Sequence, residues 1–191
     1  SPNTYTLAVV NGSNFTEKDF GNVQLSGIFG MKFNDMNGNG VKDIEDGGLA
    51  NWKIKLSGAQ TDSVLTDANG IYSFLNLIAG AYTVTEEMQA GWVQTKPVGG
   101  SYSINLVGNS SDNDFGNFQL GSISGVKYED VNGDGVKDVG EAGLQNWEIV
   151  LSGAGDDTVM TDVGGNFSFS NLTAGAYSVT EINQNGWMQT A

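Results

Sequence analysis

The sequence contains no cysteine and no histidine, and only two of its 191 residues are proline. Without cysteine it can form neither disulfides nor a reactive thiolate, and without histidine it lacks the usual proton shuttle and the best zinc ligand. Basic residues are also scarce: 8 lysines and no arginine face 22 acidic residues, for a formal net charge of −14. Nucleic acids and anionic membranes need cationic patches, so we expect neither as a partner. The charge favours a cation as partner, or serves solubility alone.

Other absences narrow the class further. No apolar run reaches the roughly 18 residues that a membrane span needs, so we expect no membrane insertion. We find no nucleophile–base pair outside the polar trio described below, and we predict that the chain is not an enzyme. The 28 glycines and the 39% hydrophobic content suit short strands, tight turns and packed cores.

The sequence holds two copies of one repeat, 95 residues apart. Residues 19–95 and 114–190 align without a gap, and Asp-Phe-Gly-Asn opens each copy. Residues 1–18 resemble residues 96–113, so the chain begins with the tail of one repeat and ends with a repeat that lacks its tail. We therefore predict terminal strands of a preceding repeat at 1–24, a complete repeat at 25–119 and an incomplete repeat at 120–191.

Alternation of apolar and polar residues predicts strands throughout. Trp52-x-Ile54-x-Leu56, Tyr82-x-Val84 and Tyr102-x-Ile104-x-Leu106 all show a period of two. The segment Asp67-Ala-Asn-Gly70 between apolar runs is typical of a hairpin turn. No segment shows helical periodicity. We predict an all-β protein with two tandem β-sandwiches of seven or eight antiparallel strands, the second lacking its last strands.

Each repeat carries a loop with the ligand spacing of the twelve-residue calcium loop. The residues that would offer oxygen ligands are Asp35, Asn37, Asn39, Val41, Asp43 and Asp46 in the first repeat, and Asp130, Asn132, Asp134, Val136, Asp138 and Glu141 in the second. We predict Ca²⁺ as the cofactor, with weaker binding at the first loop because Asp46 is shorter than Glu141. The alternative is a pair of turns with solvated acids.

A polar trio is predicted to face the core. Period two places Glu86 on the same face as Tyr82 and Val84, and Asn117 on the same face as Phe115, while Lys32 shares parity with Ile28. Buried, these groups must meet, either as an ion pair hydrogen-bonded to an amide or as an autocatalytic Lys–Asn crosslink. The second repeat supplies Lys127 and Glu181, and the matching asparagine is Asn22, at the other end of the chain.

Several motifs together resemble a known family. Gly-x-Lys-Phe-Asn-Asp-x-Asn-Gly-Asn-Gly, Gly-x-Tyr-x-Val-x-Glu and Asp-Phe-Gly-Asn are similar to the B-type repeats of serine-aspartate-repeat surface proteins and to collagen-adhesin B-type domains. The resemblance covers essentially the whole chain. It implies a transthyretin-like or immunoglobulin-like β-sandwich, calcium at the acidic loops and an extracellular location. It also implies Lys32 as nucleophile, Glu86 as acid and Asn117 as acceptor.

We expect a structural repeat module of a surface stalk or filament; the alternative is an adhesin module that binds a host protein or glycan. Copies would join head to tail by strand donation, with Tyr5, Leu7 and Val9 filling the groove of the incomplete repeat. Neighbouring repeats of a longer array could supply the same strands instead. Glycosylation sequons occur at Asn11, Asn14, Asn109, Asn166 and Asn171.

Overall fold

The computed structural model describes residues 4–191, and these residues contain 13 strands. No helix occurs in this range, which confirms the all-β prediction. Accordingly, the range holds no helix of the length and apolarity that crossing a bilayer requires.

The first repeat has eight strands arranged as two four-stranded sheets. They are β1 (Ser26–Asn34), β2 (Lys53–Gly58), β3 (Asp62–Leu65), β4 (Ile71–Leu77), β5 (Gly80–Glu86), β6 (Trp92–Lys96), β7 (Ser101–Leu106) and β8 (Phe115–Gln119). One sheet has the order β4-β1-β8-β6 and the other β3-β2-β5-β7. Apolar side chains from both sheets form one core that includes Ile28, Ile54, Phe74, Val84 and Phe115.

One strand pair departs from the antiparallel prediction. β1 and β8 run parallel, with Lys32 opposite Phe115 and Asn34 opposite Asn117. Only strands joined by a short turn are bound to run antiparallel. β1 and β8 are the first and last strands of the repeat, so no turn constrains their direction.

The predicted hairpin at Asp67–Gly70 is a turn of a different kind. The chain does reverse there, and the Gly70 N–H donates to the Asp67 carbonyl at 2.9 Å. The flanking strands β3 and β4 nevertheless belong to different sheets, because β3 pairs with β2 and β4 with β1. The turn residues determine the reversal but not the partner of the next strand.

The second repeat contains five strands: β9 (Gly121–Val126), β10 (Glu148–Gly153), β11 (Asp157–Met160), β12 (Asn166–Leu172) and β13 (Tyr177–Glu181). They form a sheet of order β11-β10-β13 and a pair β12-β9. Within residues 4–191, nothing takes the place of β6, β7 and β8, although residues 187–190 match β6 in sequence. Val179 is therefore 39% exposed, whereas its counterpart Val84 is fully buried.

Residues 4–25 contain no strand and leave their apolar side chains in solvent. Phe20 is 64% exposed and Val9 is 76% exposed, whereas Phe115 and Leu106, their counterparts in the first repeat, are buried. This segment therefore does not fill the open side of the second repeat in its own chain.

Candidate functional site

The centre of the first sandwich holds a buried lysine–glutamate pair. Lys32 on β1 and Glu86 on β5 come from opposite sheets, and their Nζ and Oε2 atoms lie 3.1 Å apart. Their side chains are 0% and 1% exposed. The Lys32 ammonium also lies 4.5 Å from the centre of the Trp52 ring, a stabilising cation–π contact.

Asn117 on β8 completes the cluster. Its side chain is fully buried, and its amide contacts the Glu86 carboxyl and lies 3.9 Å from the sulfur of Met88. Glu86 Oε2 is paired with the Lys32 ammonium, whereas Asn117 Oδ1 has no hydrogen-bond partner. A buried acceptor without a donor is costly, so a donor directed at Asn117 Oδ1 would stabilise the folded state.

Burial weakens the charged form of both ionisable groups. Burial lowers the pKa of Lys32 to about 8, although the attraction of Glu86 opposes this shift. Burial likewise raises the pKa of the Glu86 carboxyl, against the opposing effect of Lys32. Both changes favour a neutral amine beside a protonated acid, which are the forms that amide chemistry needs.

The second repeat contains the same pair in a more open setting. Lys127 Nζ lies 2.8 Å from Glu181 Oε2, and the side chains are 16% and 10% exposed. Lys127 also lies 4.6 Å from the centre of the Trp147 ring. A cavity of about 100 Å³ adjoins the pair, lined by Lys127, Glu181 and Gln189 among others. Asn22 is exposed in the strandless segment, so the chain does not bring it to this pair by itself.

The first acidic loop, residues 35–46, is tightly organised. The buried Asp35 carboxylate accepts hydrogen bonds from the N–H groups of Asn39 and Gly40, at 3.1 and 2.7 Å. At the other end of the loop, Asp46 accepts from Met36 and Asp43, at 3.1 and 2.9 Å. The first and last predicted ligands therefore hold the ends of the loop together.

The second acidic loop, residues 130–141, has the same backbone pattern. Asp130 accepts from Gly135 at 2.8 Å, and Glu141 accepts from both Val131 and Asp138 at 2.9 Å. One support is present only in the first loop, where the Asp35 N–H donates to the Asn117 carbonyl of β8 at 2.8 Å. The second loop is accordingly more exposed than the first.

Within each loop, asparagine amides donate hydrogen bonds to aspartate carboxylates, from Asn37 and Asn39 to Asp43 and from Asn132 to Asp138. Asp35 is fully buried and Asp46 nearly so, yet no ion pair within residues 4–191 involves either of them. No three carboxylates in this range come close enough to hold a metal without other ligands. A calcium ion would therefore also need the amide oxygens and the backbone carbonyl that the spacing predicts.

Trp52 and Trp147 belong to the two lysine clusters, although the sequence did not predict it. Trp52–Trp92 and Trp147–Trp187 pack edge to face, with ring centres 5.4 and 5.5 Å apart. The contact of Trp52 and Trp147 with the two lysines was not predicted. Since each tryptophan comes just before a strand, period two alone did not show that its ring reaches another sheet.

The five predicted glycosylation asparagines all lie at the surface. Two of them also make structural contacts: Asn109 accepts a hydrogen bond from the Gly27 N–H at 2.9 Å, and Asn166 donates to Asp162 at 3.0 Å. A glycan at either position has to accommodate these bonds.

The SdrD B-like domain model matches the sequence at residues 28–117 and 121–191, that is, at both repeats. The chain belongs to the SdrD B-like domain family. Membership confirms the resemblance inferred from the motifs. It places the chain among structural repeat modules of surface proteins, outside the cell.

Several curated relatives show the same repeats within much longer proteins. Serine-aspartate repeat-containing protein F of Staphylococcus epidermidis is 31% identical over 92% of this chain, which spans 12% of that protein. Serine-aspartate repeat-containing protein D of Staphylococcus aureus strain Newman is 31% identical over 82% of this chain and is covered over 13% of its length. Colossin-A of Dictyostelium discoideum is 29% identical over 90% of this chain, which spans 2% of that protein.

Solved structures with similar folds include two pilins. A streptococcal ancillary pilin gives a TM-score of 0.43 at 18% identity, covering 86% of this chain and 56% of its own. The full-length major pilin SpaD of Corynebacterium diphtheriae gives a TM-score of 0.44 at 13% identity, covering 83% of this chain and 57% of its own.

Proposed function

We propose that this chain is a structural module of an extracellular stalk or filament that is stiffened by calcium, crosslinked by a Lys–Asn bond and joined head to tail by strand donation. The observation that carries the proposal is the contrast between the two lysine clusters. The second repeat retains Lys127 and Glu181 but has a cavity beside them. The first repeat has its third member, Asn117, on a strand that the second repeat lacks.

The crosslink is an exchange of one amide for another. The neutral amine of Lys32 attacks the side-chain carbonyl carbon of Asn117, while the protonated Glu86 polarises the carbonyl oxygen. Glu86 then takes a proton from the attacking nitrogen and gives one to the leaving –NH₂ group, and ammonia departs. No oxidant or cofactor is needed. In the product, the N–H of the new amide can donate to Glu86, and the protonated Glu86 can donate to Asn117 Oδ1, which lacks a hydrogen-bond partner before the reaction.

The position of the bond suits a module under tension. β1 and β8 are the first and last strands of the repeat and lie side by side, so a pull on its two ends acts directly on this pair. A bond between Lys32 and Asn117 would close nearly the whole repeat into a loop. Closing a loop of this size removes unfolded-state entropy worth on the order of 4–5 kcal/mol.

Calcium would stiffen the acidic loops. The buried acids of the first loop lack cationic partners, and an ion bound by Asp35, Asn37, Asn39, Val41, Asp43 and Asp46 would neutralise them. The matching set in the second loop is Asp130, Asn132, Asp134, Val136, Asp138 and Glu141. An ion that binds the folded loops and not the unfolded chain stabilises the fold.

Strand donation would complete the second repeat with residues 5–24 of a second copy. This segment matches the strands that fill the equivalent groove of the first repeat, and its apolar side chains are exposed: Leu7 at 42%, Val9 at 76% and Phe20 at 64%. Complete burial of an exposed side chain of this kind contributes roughly 1.5–3 kcal/mol, so each of these partly exposed side chains would stabilise the joint by a fraction of that amount. Two open sheet edges, at β9 and β13, offer unpaired backbone for the added strands.

Applying the register of the first repeat to the joint brings the third member of the cluster into place. Lys32 lies opposite Phe115 and Asn34 opposite Asn117, so Lys127 would lie opposite Phe20 and Glu129 opposite Asn22. The Asn22 side chain would then reach the cavity beside Lys127 and Glu181. The same exchange of amides would make the joint covalent. Because the contact is heterologous, it extends into a filament and does not close.

Intact mass under denaturing conditions tests this function. The wild-type chain should be one ammonia lighter than its sequence requires, and each covalent joint in an oligomer should remove one more. The control is Glu86→Gln, which keeps the size of the side chain but cannot shuttle the proton and should restore the ammonia of the first repeat. An unmodified mass in well-folded wild-type protein would exclude the crosslink.

A further inference from the structure

Residues 5–24, the proposed donor segment, already make contacts with one another in the chain without a partner. The Tyr5 hydroxyl donates a hydrogen bond to the Asp19 carbonyl at 3.0 Å, although the two residues are 14 positions apart. The Tyr5 ring also packs edge to face against Phe20, with ring centres 5.1 Å apart and an interplanar angle of 72°. These contacts form in a segment that has no strand and no core around it.

The first repeat has the same pair inside its complete sandwich. The Tyr102 hydroxyl donates to the Asp114 carbonyl at 2.6 Å. The Tyr102 and Phe115 ring centres lie 5.3 Å apart at 87°. By sequence, Tyr102 corresponds to Tyr5, Asp114 to Asp19 and Phe115 to Phe20. The segment therefore holds, while exposed, a contact that belongs to the buried state.

This contact links two strands of different sheets. Tyr102 is on β7, which pairs with β5, and Phe115 is on β8, which pairs with β1. The Tyr–Phe pair therefore sets the separation of two strands that face each other across the core. Its counterpart in the donor segment would set the same separation before docking.

We propose that residues 5–22 dock as a preformed clip of two chain stretches, which become strands on docking and in which the Tyr5–Asp19 hydrogen bond is the positioning contact. Residues 5–9 would lie along β13 and residues 20–22 along β9 of a second copy, so both open sheets close in one event. This inference rests on the strand donation proposed above. A clip that holds its bound shape in advance associates faster, because less ordering remains for the encounter.

A pair of complementary full-length chains isolates one joint. The acceptor chain carries Gly21→Val, which disables its own donor segment, and Glu181→Gln, which prevents covalent capture. The donor chain carries Val179→Lys, which puts a charge into its own groove. Each chain alone should be monomeric, and a mixture should form a one-to-one dimer whose association and dissociation are measured by stopped-flow light scattering.

Tyr5→Phe in the donor chain is the test, because it keeps the ring and removes the hydrogen bond. The association rate constant should fall several-fold, while the dissociation rate constant changes little. Thr6→Ala, which removes a hydroxyl from the adjacent, outward-facing position, should change neither. An unchanged association rate constant with faster dissociation would mean that the bond forms after docking, and would overturn the clip while donation stands. If no dimer forms, donation itself fails, and the clip with it.

Discussion

The two repeats share most of their sequence, but their shared residues have different surroundings. Lys32 is fully buried, whereas Lys127 is 16% exposed, and Val84 is buried whereas Val179 is 39% exposed. The difference follows from three strands, β6, β7 and β8, which only the first repeat has within residues 4–191. These strands supply no part of the lysine–glutamate pair, yet they determine how far that pair is removed from water.

The acidic loops show the same dependence. Both loops have the same pattern of backbone N–H donors to their first and last carboxylates, but only the first donates a hydrogen bond to β8, from the Asp35 N–H to the Asn117 carbonyl. In the second loop, the outside contact at Asp130 comes from the Thr190 side chain. The ligand side chains favour the second loop as a calcium site, because Glu141 is longer than Asp46 and Asp134 adds a charge that Asn39 lacks. The hydrogen bond from Asp35 to β8 favours the first loop instead, because it holds the loop in place. Assembly would give the second loop the same hydrogen bond, with the Asn22 carbonyl as acceptor.

The largest expected difference between the two repeats is in which covalent bonds are lost when the glutamate of each cluster is replaced. Glu86→Gln removes the acid of the first cluster, so the first repeat should keep its ammonia and lose the stabilisation of a closed loop. Glu181→Gln leaves the first repeat crosslinked and should convert a denaturant-resistant ladder of oligomers into chains that separate in detergent. Denaturing electrophoresis with intact mass distinguishes the two. Identical behaviour of the two variants would show that the clusters do not act separately.

Calcium should bind the second loop more tightly once a donor strand is docked. The docked strand would then offer Asp130 the same hydrogen-bond acceptor that β8 offers Asp35. We expect the calcium affinity of the second loop to rise on the order of tenfold, the scale of typical coupling between sites. The measurement is calorimetric titration of the Gly21→Val acceptor with and without the donor chain. Asp130→Ala should abolish this gain, and Asp35→Ala should leave it. Equal affinities in both states would contradict the dependence on β8.

Val84 and Val179 occupy equivalent positions in the two repeats, and replacing each by alanine should lower the free energy of unfolding by different amounts. Val84→Ala empties a fully buried position and should lower the free energy of unfolding of the first repeat by about 2–3 kcal/mol. Val179 is partly exposed, and Val179→Ala should cost under about 1 kcal/mol in monomers. Scanning calorimetry in the Gly21→Val background measures both. The cost at Val179 should approach that at Val84 when a donor chain is present, and equal costs in monomers would mean that the second core is already closed.

The smallest expected effect is a pH dependence of crosslinking in the first repeat. In the proposed mechanism, the form of the cluster that reacts has a neutral Lys32 and a protonated Glu86, and so carries one proton between the two groups. Burial lowers the pKa of Lys32 to about 8, so raising the pH past this value removes that proton and should slow the reaction. The loss of ammonia after refolding, followed by mass at several pH values, measures the rate. A rate that keeps rising well above pH 8 would contradict the role of Glu86 as the acid.

The sequence predicted strands more reliably than it predicted their arrangement. Period two located the strands around Ile54, Val84 and Ile104 because one face of each is buried. It did not predict the parallel pairing of β1 with β8 or the connection between sheets at Asp67–Gly70, since these depend on contacts between distant segments. For the same reason, the repeat alignment matched Asn22 with Asn117, but it did not show the Tyr5–Asp19 contact, which depends on how residues 4–25 fold back on themselves.

The most direct test of the account is the oligomeric state of Gly21→Val beside the wild type, measured by light scattering at high concentration. In the first repeat a Cβ at Gly116 would lie 2.5 Å from the Phe33 ring, whereas Gly21 has nothing within 4 Å. Valine at position 21 should therefore be harmless in the free chain and clash with Tyr128 in the joint. We predict polymers for the wild type and for the control Gly108→Val, whose site is equally open, and monomers for Gly21→Val. A monomeric wild type with a stably folded second repeat would contradict strand donation between chains.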